Sequence, residues 1–230
     1  MAAHVPEDAM LYADLPHGYV PQSDVPQSDV PQSNVPHAGA DEHAARATFT
    51  ALMWSLSYPG TVYALPALPM NQAATHQDAC LSIGRALLDL ETSYYTPDAA
   101  LAAQLAATTA RTLPPTTADY HFYPACDSSP WAKVLADMGA AKVGDMLYPD
   151  QSATLVVGCR LGQGTRLRLQ GPGIARATLL AVDGLPPEFW QLRAESIHYP
   201  LGWDLFLVDG QHIDGSRVVG LPRTTMIELV

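Results

Sequence analysis

Lysine is scarce in this chain. Only Lys133 and Lys142 occur in 230 residues, and arginine supplies the other cations. Schiff-base chemistry with pyridoxal phosphate needs a desolvated lysine held in a pocket. Lys133 lies in a predicted helix among acidic and apolar neighbours and Lys142 lies near Gly144. Both read as solvent-facing, so no cofactor is expected. Positive charge is short as a whole, with 12 Lys+Arg against 23 Asp+Glu and a net charge of −11. That balance repels phosphates at range, so neither nucleic-acid binding nor a polybasic membrane anchor is expected. No apolar run reaches the ~18–20 residues of a membrane helix. The N-terminus has no basic stretch ahead of an apolar one, so no signal peptide is expected. Three widely spaced cysteines, Cys80, Cys126 and Cys159, read as reduced thiols of a cytoplasmic protein rather than a disulfide framework.

Familiar catalytic motifs are missing too. Gly162-Gln163-Gly164 lacks the third glycine of a phosphate-binding loop and reads better as a turn. Cys80-Leu81-Ser82-Ile83-Gly84 nearly matches a nucleophile elbow, but Cys80 stands where the first glycine belongs. Its position in a predicted helix argues against Ser82 as a nucleophile. His121 and Cys126 are five apart, with His198 and His212 downstream. No pair fixes two ligands on one element, and no metal site is expected. Cys80 and Cys159 read as small core residues.

Apolar residues make up 48% of the chain and charged residues 15%, enough for a folded core. The first 40 residues differ from the rest. They hold six prolines and no Lys or Arg, with PQSDV at 21–25 and 26–30 and PQSNV at 31–35. A proline every fifth residue blocks helix, and the polar units have little to bury. Residues 1–40 are therefore expected to form a disordered, partly polyproline-II arm. It is either a dispensable tail or a docking segment. The body, residues 41–230, is long enough to bury roughly 70% of its unfolded surface.

The body is expected to open with a helix capped by Asp41. Ala45, Phe49, Leu52, Met53 and Leu56 would form its buried stripe, and Pro59-Gly60 would end it. A second helix should start at Thr75-His76-Gln77-Asp78, a capping-box pattern, and bury Cys80, Ile83, Gly84, Leu87 and Leu88. Thr96 should cap a third helix with Leu101 and Leu105 inward. Ser129-Pro130 should open a fourth through Met138, and residues 187–194 a fifth. Strands are expected at 61–64, 93–95, 120–123, 153–159, 165–169, 178–182, 203–208, 217–221 and 225–229. The 153–159 and 165–169 runs read as a hairpin through Leu161-Gly162-Gln163-Gly164, with Gly171-Pro172-Gly173 ending the second. The pattern is that of an α/β protein, a mixed sheet covered by helices.

The C-terminal third carries the most informative residues. Arg168 alternates with Leu167 and Leu169, which places it on the solvent or interface face of its strand. Arg223 beside Thr224 and Thr225 has the donors to recognise a phosphate or carboxylate. The preferred reading pairs Arg223 with Asp204, joining two segments. His198 is a nearby candidate acid or base. Gly171 and Gly173 are candidate binding or interface residues. Subunit contact is expected at a sheet edge or around Trp190, Tyr199 and Trp203.

Tyr-Pro-Leu-Gly-Trp-Asp at 199–204 and Leu-Pro-Arg-Thr-Thr at 221–225 resemble the C-terminal signature of the PhnH family. Upstream, Ala-Thr-Leu-Val-Val at 153–157 and Arg-Leu-Gln-Gly-Pro-Gly-Ile at 168–174 are similar to the family's hairpin and its exit. Phe49, ten residues before Pro59-Gly60, resembles its opening helix, although Thr50 stands where an arginine is expected. The likeness covers about 41–230. It implies a fold similar to the large domain of pyridoxal-phosphate-dependent transferases without the cofactor site. It also implies a homodimer that joins sibling subunits PhnG, PhnI, PhnJ and PhnL of the carbon–phosphorus lyase system. In alkylphosphonate utilisation that system couples a phosphonate to the ribose of a nucleoside triphosphate, forming alpha-D-ribose 1-methylphosphonate 5-triphosphate. No catalytic residue carries over, and an accessory role in this transferase complex is expected. The alternative is a direct active-site contributor binding phosphonate or triphosphate through Arg223, Thr224 and Asp204.

Overall fold

The computed structural model describes residues 39–66, 74–124, 131–212 and 215–230. The expected N-terminal arm, Cys126 and the Ser129-Pro130 helix start lie outside them, except for Gly39 and Ala40. Residues Ala38–Val230 form one unit.

Helix α1, Ala40–Ser57, starts ahead of the expected position. Its N-cap is Gly39, not Asp41. Asp41 and Glu42 lie in the first turn, where negative charge complements the helix dipole. The buried stripe also differs from expectation. Thr48, Ala51, Leu52 and Ser55 face the core, while Phe49 and Met53 are 52% and 45% exposed. The reason is close packing. A Cβ on Gly220 would stand 2.6 Å from the Ser55 carbonyl carbon, so the helix lies nearly backbone to backbone on a strand. Thr48, Ala51 and Ser55 fit beside that close approach with Leu52, and Phe49 and Met53 turn outward.

Strand β1 (Tyr63–Ala64) leads to α2 (His76–Leu87). The capping box forms as expected. Asp78 N donates to Thr75 Oγ1 at 3.1 Å, and Thr75 N donates to Asp78 Oδ2 at 3.0 Å. Cys80, Ile83 and Gly84 are buried. Ser82 is buried inside the helix, with its hydroxyl 3.3 Å from that of Thr48. Strand β2 (Ser93–Tyr95) precedes α3 (Ala99–Leu105), which buries Leu101 and Leu105. Its cap is Asp98 rather than Thr96. Leu101 N donates to Asp98 Oδ1 at 2.7 Å, and Thr96 Oγ1 accepts from Asp98 N. Then follow β3 (Arg111–Thr112), β4 (Tyr120–Tyr123), α4 (Trp131–Gly139), β5 (Thr154–Gly158) and β6 (Arg160–Gln170). The chain ends with β7 (Thr178–Asp183), α5 (Pro187–Ser196), β8 (Asp204–Asp209), β9 (Arg217–Leu221) and β10 (Met226–Leu229).

These strands build two sheets. One has seven strands in the order β1-β9-β8-β5-β4-β2-β3, parallel from β8 through β3 and antiparallel at β9 and β1. The other is antiparallel, β10-β6-β7. The expected β5–β6 hairpin is therefore absent. β5 pairs with β4 and β8, while β6 begins the second sheet. Leu155-Val156-Val157 is apolar throughout because a central parallel strand is buried on both faces. The alternation from Thr165 to Leu169 belongs to a half-exposed strand. Leu161-Gly162-Gln163-Gly164 is a bulge inside β6, with Leu161 and Thr165 both opposite Val182. Gly162 and Gly164 have φ of +93° and +83° there, so the glycines mark an irregularity and not a chain reversal.

Helices α1–α3 cover one face of the large sheet over Phe122, Val156, Phe206, Val208 and Val218. On the other face Leu155, Val157, Leu205, Leu207 and Val219 meet α4, α5 and the small sheet. The mixed α/β class holds, but the second face is covered by another sheet as well as by helices.

Candidate functional site

Strand β8 begins at Asp204, and β9 and β10 are joined by Pro222–Thr225. Antiparallel pairing of β8 with β9 sets Leu205 opposite Leu221 and brings Arg223 back to Asp204. Arg223 N donates to Asp204 Oδ1 at 2.8 Å, and Arg223 Nη2 lies 3.3 Å from Asp204 Oδ2. Arg223 Nη1 donates to the carbonyls of Pro149 and Pro200, the latter at 3.4 Å. Pro200 follows a cis peptide bond from Tyr199. One guanidinium thus ties together four segments, and the structural pairing with Asp204 is present.

A second arginine holds the same turn from behind. Arg193 of α5 is 4% exposed. Its Nη1 donates to Thr225 O at 3.2 Å, and its Nη2 to Pro222 O at 2.9 Å and Leu221 O at 3.5 Å. The guanidinium carbon lies 6.0 Å from the Trp203 ring centre, within cation–π range. Burial pulls the Arg193 pKa down to about 10, and the charge of Asp204 acts the other way. Arg193 Nε, Trp190 Nε1 and Thr225 Oγ1 are buried with no hydrogen-bond partner. Sequence reasoning missed Arg193. The signal was its spacing: positions three and four after Trp190 and Phe189 share a helical face with those buried aromatics.

A cleft of about 930 Å³ opens here between α5 and β10, with Arg193, Arg223, Thr224 and Thr225 in its lining. Asp204 and His198 are not part of that lining. His198 is exposed, and its backbone pairs with Leu201. Arg168 lies on the outer face of β6, 3.5 Å from Glu228, while Leu167 and Leu169 are buried. Gly171 and Gly173 serve close backbone approach. Both have positive φ, and added Cβ atoms would stand 2.7 Å from Thr224 O and 2.4 Å from Ser57 O. Of the three aromatics expected at an interface, Trp190 and Trp203 are core residues, and only Tyr199 is exposed, at 76%. The sheet–helix packing needs the two large indoles as filling, and Trp190 reaches the surface only in the cleft lining.

Other chemistry-bearing residues occupy quieter places. Lys133 pairs with Asp137 at 2.7 Å, and Lys142, partly covered rather than solvent-facing, pairs with Asp119. His121 is fully buried, its Nδ1 is 3.1 Å from the Tyr123 hydroxyl, and burial pulls its pKa down to about 4. Among the described residues no group of three or more His, Cys, Asp or Glu side chains could hold a metal ion. No described helix is long and apolar enough to cross a membrane.

Residues 38–228 match the family model of a bacterial phosphonate metabolism protein, PhnH. The chain is similar to a putative C-P lyase subunit protein, HtxG, of Stutzerimonas stutzeri, with 44% identity over 90 residues. That match covers 38% of this chain and 44% of the relative. It is also similar to alpha-D-ribose 1-methylphosphonate 5-triphosphate synthase subunit PhnH of Rhizobium meliloti (strain 1021), with 40% identity over 88 residues. There the match covers 37% of this chain and 42% of the relative. The chain thus spans less than half the length of either curated relative it matches. The family match, which runs from α1 into β10 and includes Arg193 and Arg223, places this chain in the PhnH family of bacterial phosphonate metabolism proteins.

Proposed function

We propose that the protein is an accessory, cytoplasmic subunit of the carbon–phosphorus lyase system in phosphonate catabolism. It is required for forming alpha-D-ribose 1-methylphosphonate 5-triphosphate from a nucleoside triphosphate and an alkylphosphonate. It is not catalytic alone, acts as a homodimer, and joins the PhnG, PhnI, PhnJ and PhnL siblings. Its fold is a relative of the large domain of pyridoxal-phosphate-dependent transferases that has lost the cofactor site. Family membership supports the pathway. The single observation that favours a scaffold is the engagement of Arg223. Its guanidinium holds Asp204 and two backbone carbonyls, so these contacts join separate parts of the chain. Lys133 and Lys142 each pair with a carboxylate, which suits neither to Schiff-base chemistry. Reconstitution tests this reading. Sibling subunits supplied with methylphosphonate and ATP should form product only when this chain is added. Full conversion without it overturns the accessory role.

A second reading makes the chain a direct contributor to the active site. The presence of Arg223 and Thr224 in the lining of the cleft favours it, with Asp204 orienting the guanidinium toward phosphonate or triphosphate. Arg223→Ala would then lower turnover while leaving the assembled complex intact. Joint loss of assembly and turnover favours the scaffold.

A further inference from the structure

Strand β10 is an outer strand. β6 occupies one side of it, and no described strand lies on the other. Its peptide groups on that side form an open hydrogen-bonding edge. Thr225, Met226, Ile227 and Leu229, in or beside β10, all line the cleft. Met226 and Ile227 are neighbours, so their side chains leave opposite faces of the sheet, yet both line the cleft. The other wall is α5, through Trp190 and Ala194. A helix beside an unpaired strand edge suits an extended peptide that adds as a further strand. β10 reads Met-Ile-Glu-Leu, four residues without the proline or lysine that often guards an edge. Its one charge, Glu228, pairs with Arg168 across the sheet. Met226 and Leu229 remain 64% and 50% exposed.

Charge distinguishes one end of the groove. Arg193 and Arg223 both line it, and Asp204 is the carboxylate that acts on each. Two guanidiniums share one carboxylate, so a positive charge is left over in a chain whose net charge is −11. Arg193 Nε has no acceptor. The remaining charged lining residue, Glu188, lies in the first turn of α5, more than one helical turn before Arg193.

We propose that this groove receives an extended apolar segment of a partner subunit, added as a strand to β10 and bearing an acidic residue at the Arg193–Arg223 end. The geometry carries this independently of which reaction the assembly performs. The probe is a capped octapeptide alternating valine and threonine with a terminal aspartate, mixed with the full chain. Its controls are a lysine counterpart and two versions N-methylated on alternate residues, one for each strand edge. Amide hydrogen exchange across Ile227–Leu229 should slow when the aspartate peptide binds. That peptide should bind about tenfold more tightly than the lysine peptide, a difference of about 1.4 kcal/mol. One N-methylated version should lose binding, because it cannot pair with the edge. Absence of protection at β10 with millimolar peptide overturns the proposal. So does equal binding of the aspartate and lysine peptides, or unimpaired binding of both N-methylated versions. Protection of β10 in the peptide-free chain that falls on dilution would assign the edge to a second copy and also overturn it.

Discussion

Arg223 and Asp204 are joined twice: the carboxylate accepts from the backbone N–H at 2.8 Å and faces the guanidinium at 3.3 Å. Both side chains are mostly covered, at 17% and 22% exposure. Removing one partner therefore leaves a partly buried charge without compensation. Arg223→Ala should lower unfolding free energy by about 2 kcal/mol, measured by urea denaturation. Asp204→Asn keeps an oxygen for the backbone N–H and should cost less than Asp204→Ala. Equal losses for the two Asp204 variants would remove the backbone contact from the account.

Arg193 organises the same turn through three carbonyls. Arg193→Met retains the apolar stem but abandons Leu221, Pro222 and Thr225 carbonyls, with an expected loss of about 2–4 kcal/mol. Arg193→Lys keeps the charge without the planar fork and should recover only part of that loss. The urea midpoints of the two variants provide the comparison.

His121 makes stability depend on pH. Its pKa is about 4 in the folded protein and ~6.5 when unfolded. Between those values the unfolded chain binds more protons, so stability rises with pH. The contribution is complete above about pH 6.5 and is lost as pH falls toward 4. Its full size is about 3 kcal/mol. His121→Phe should flatten the slope of unfolding free energy in this window by about 1.4 kcal/mol per pH unit at most. An unchanged slope would show that His121 titrates normally in the fold.

Gly173 has φ of +80° and approaches Ser57 O closely. Gly173→Ala is expected to cost about 2 kcal/mol or more, from left-handed backbone and steric displacement together. Thermal unfolding reads this directly. A near-neutral Gly173→Ala would restore a ligand-facing role as the better account of this glycine.

The capping box at Thr75 and Asp78, the inward Leu101 and Leu105, and the strand at Tyr120–Tyr123 were legible because neighbouring residues carry their own signals. The Asp204–Arg223 pairing was legible from charge and from the strands that flank each residue. Caps at Gly39 and Asp98 were missed by two residues because several polar residues compete for each start.

Local pattern by itself determined that this chain forms alternating helices and strands with an apolar interior, since periodicity and turn chemistry act over a few residues. Tertiary structure decided which strands share a sheet, because pairing β5 with β8 rather than β6 depends on groups about fifty residues away. It also decided which side of α1 is inside. The helix lies so close to Gly220 that Thr48, Ala51 and Ser55 face inward with Leu52 while Phe49 and Met53 turn out, and no rule of spacing within the helix contains that distance. Arg193 belongs to the same class: its importance comes from three carbonyls that only the folded turn brings to it.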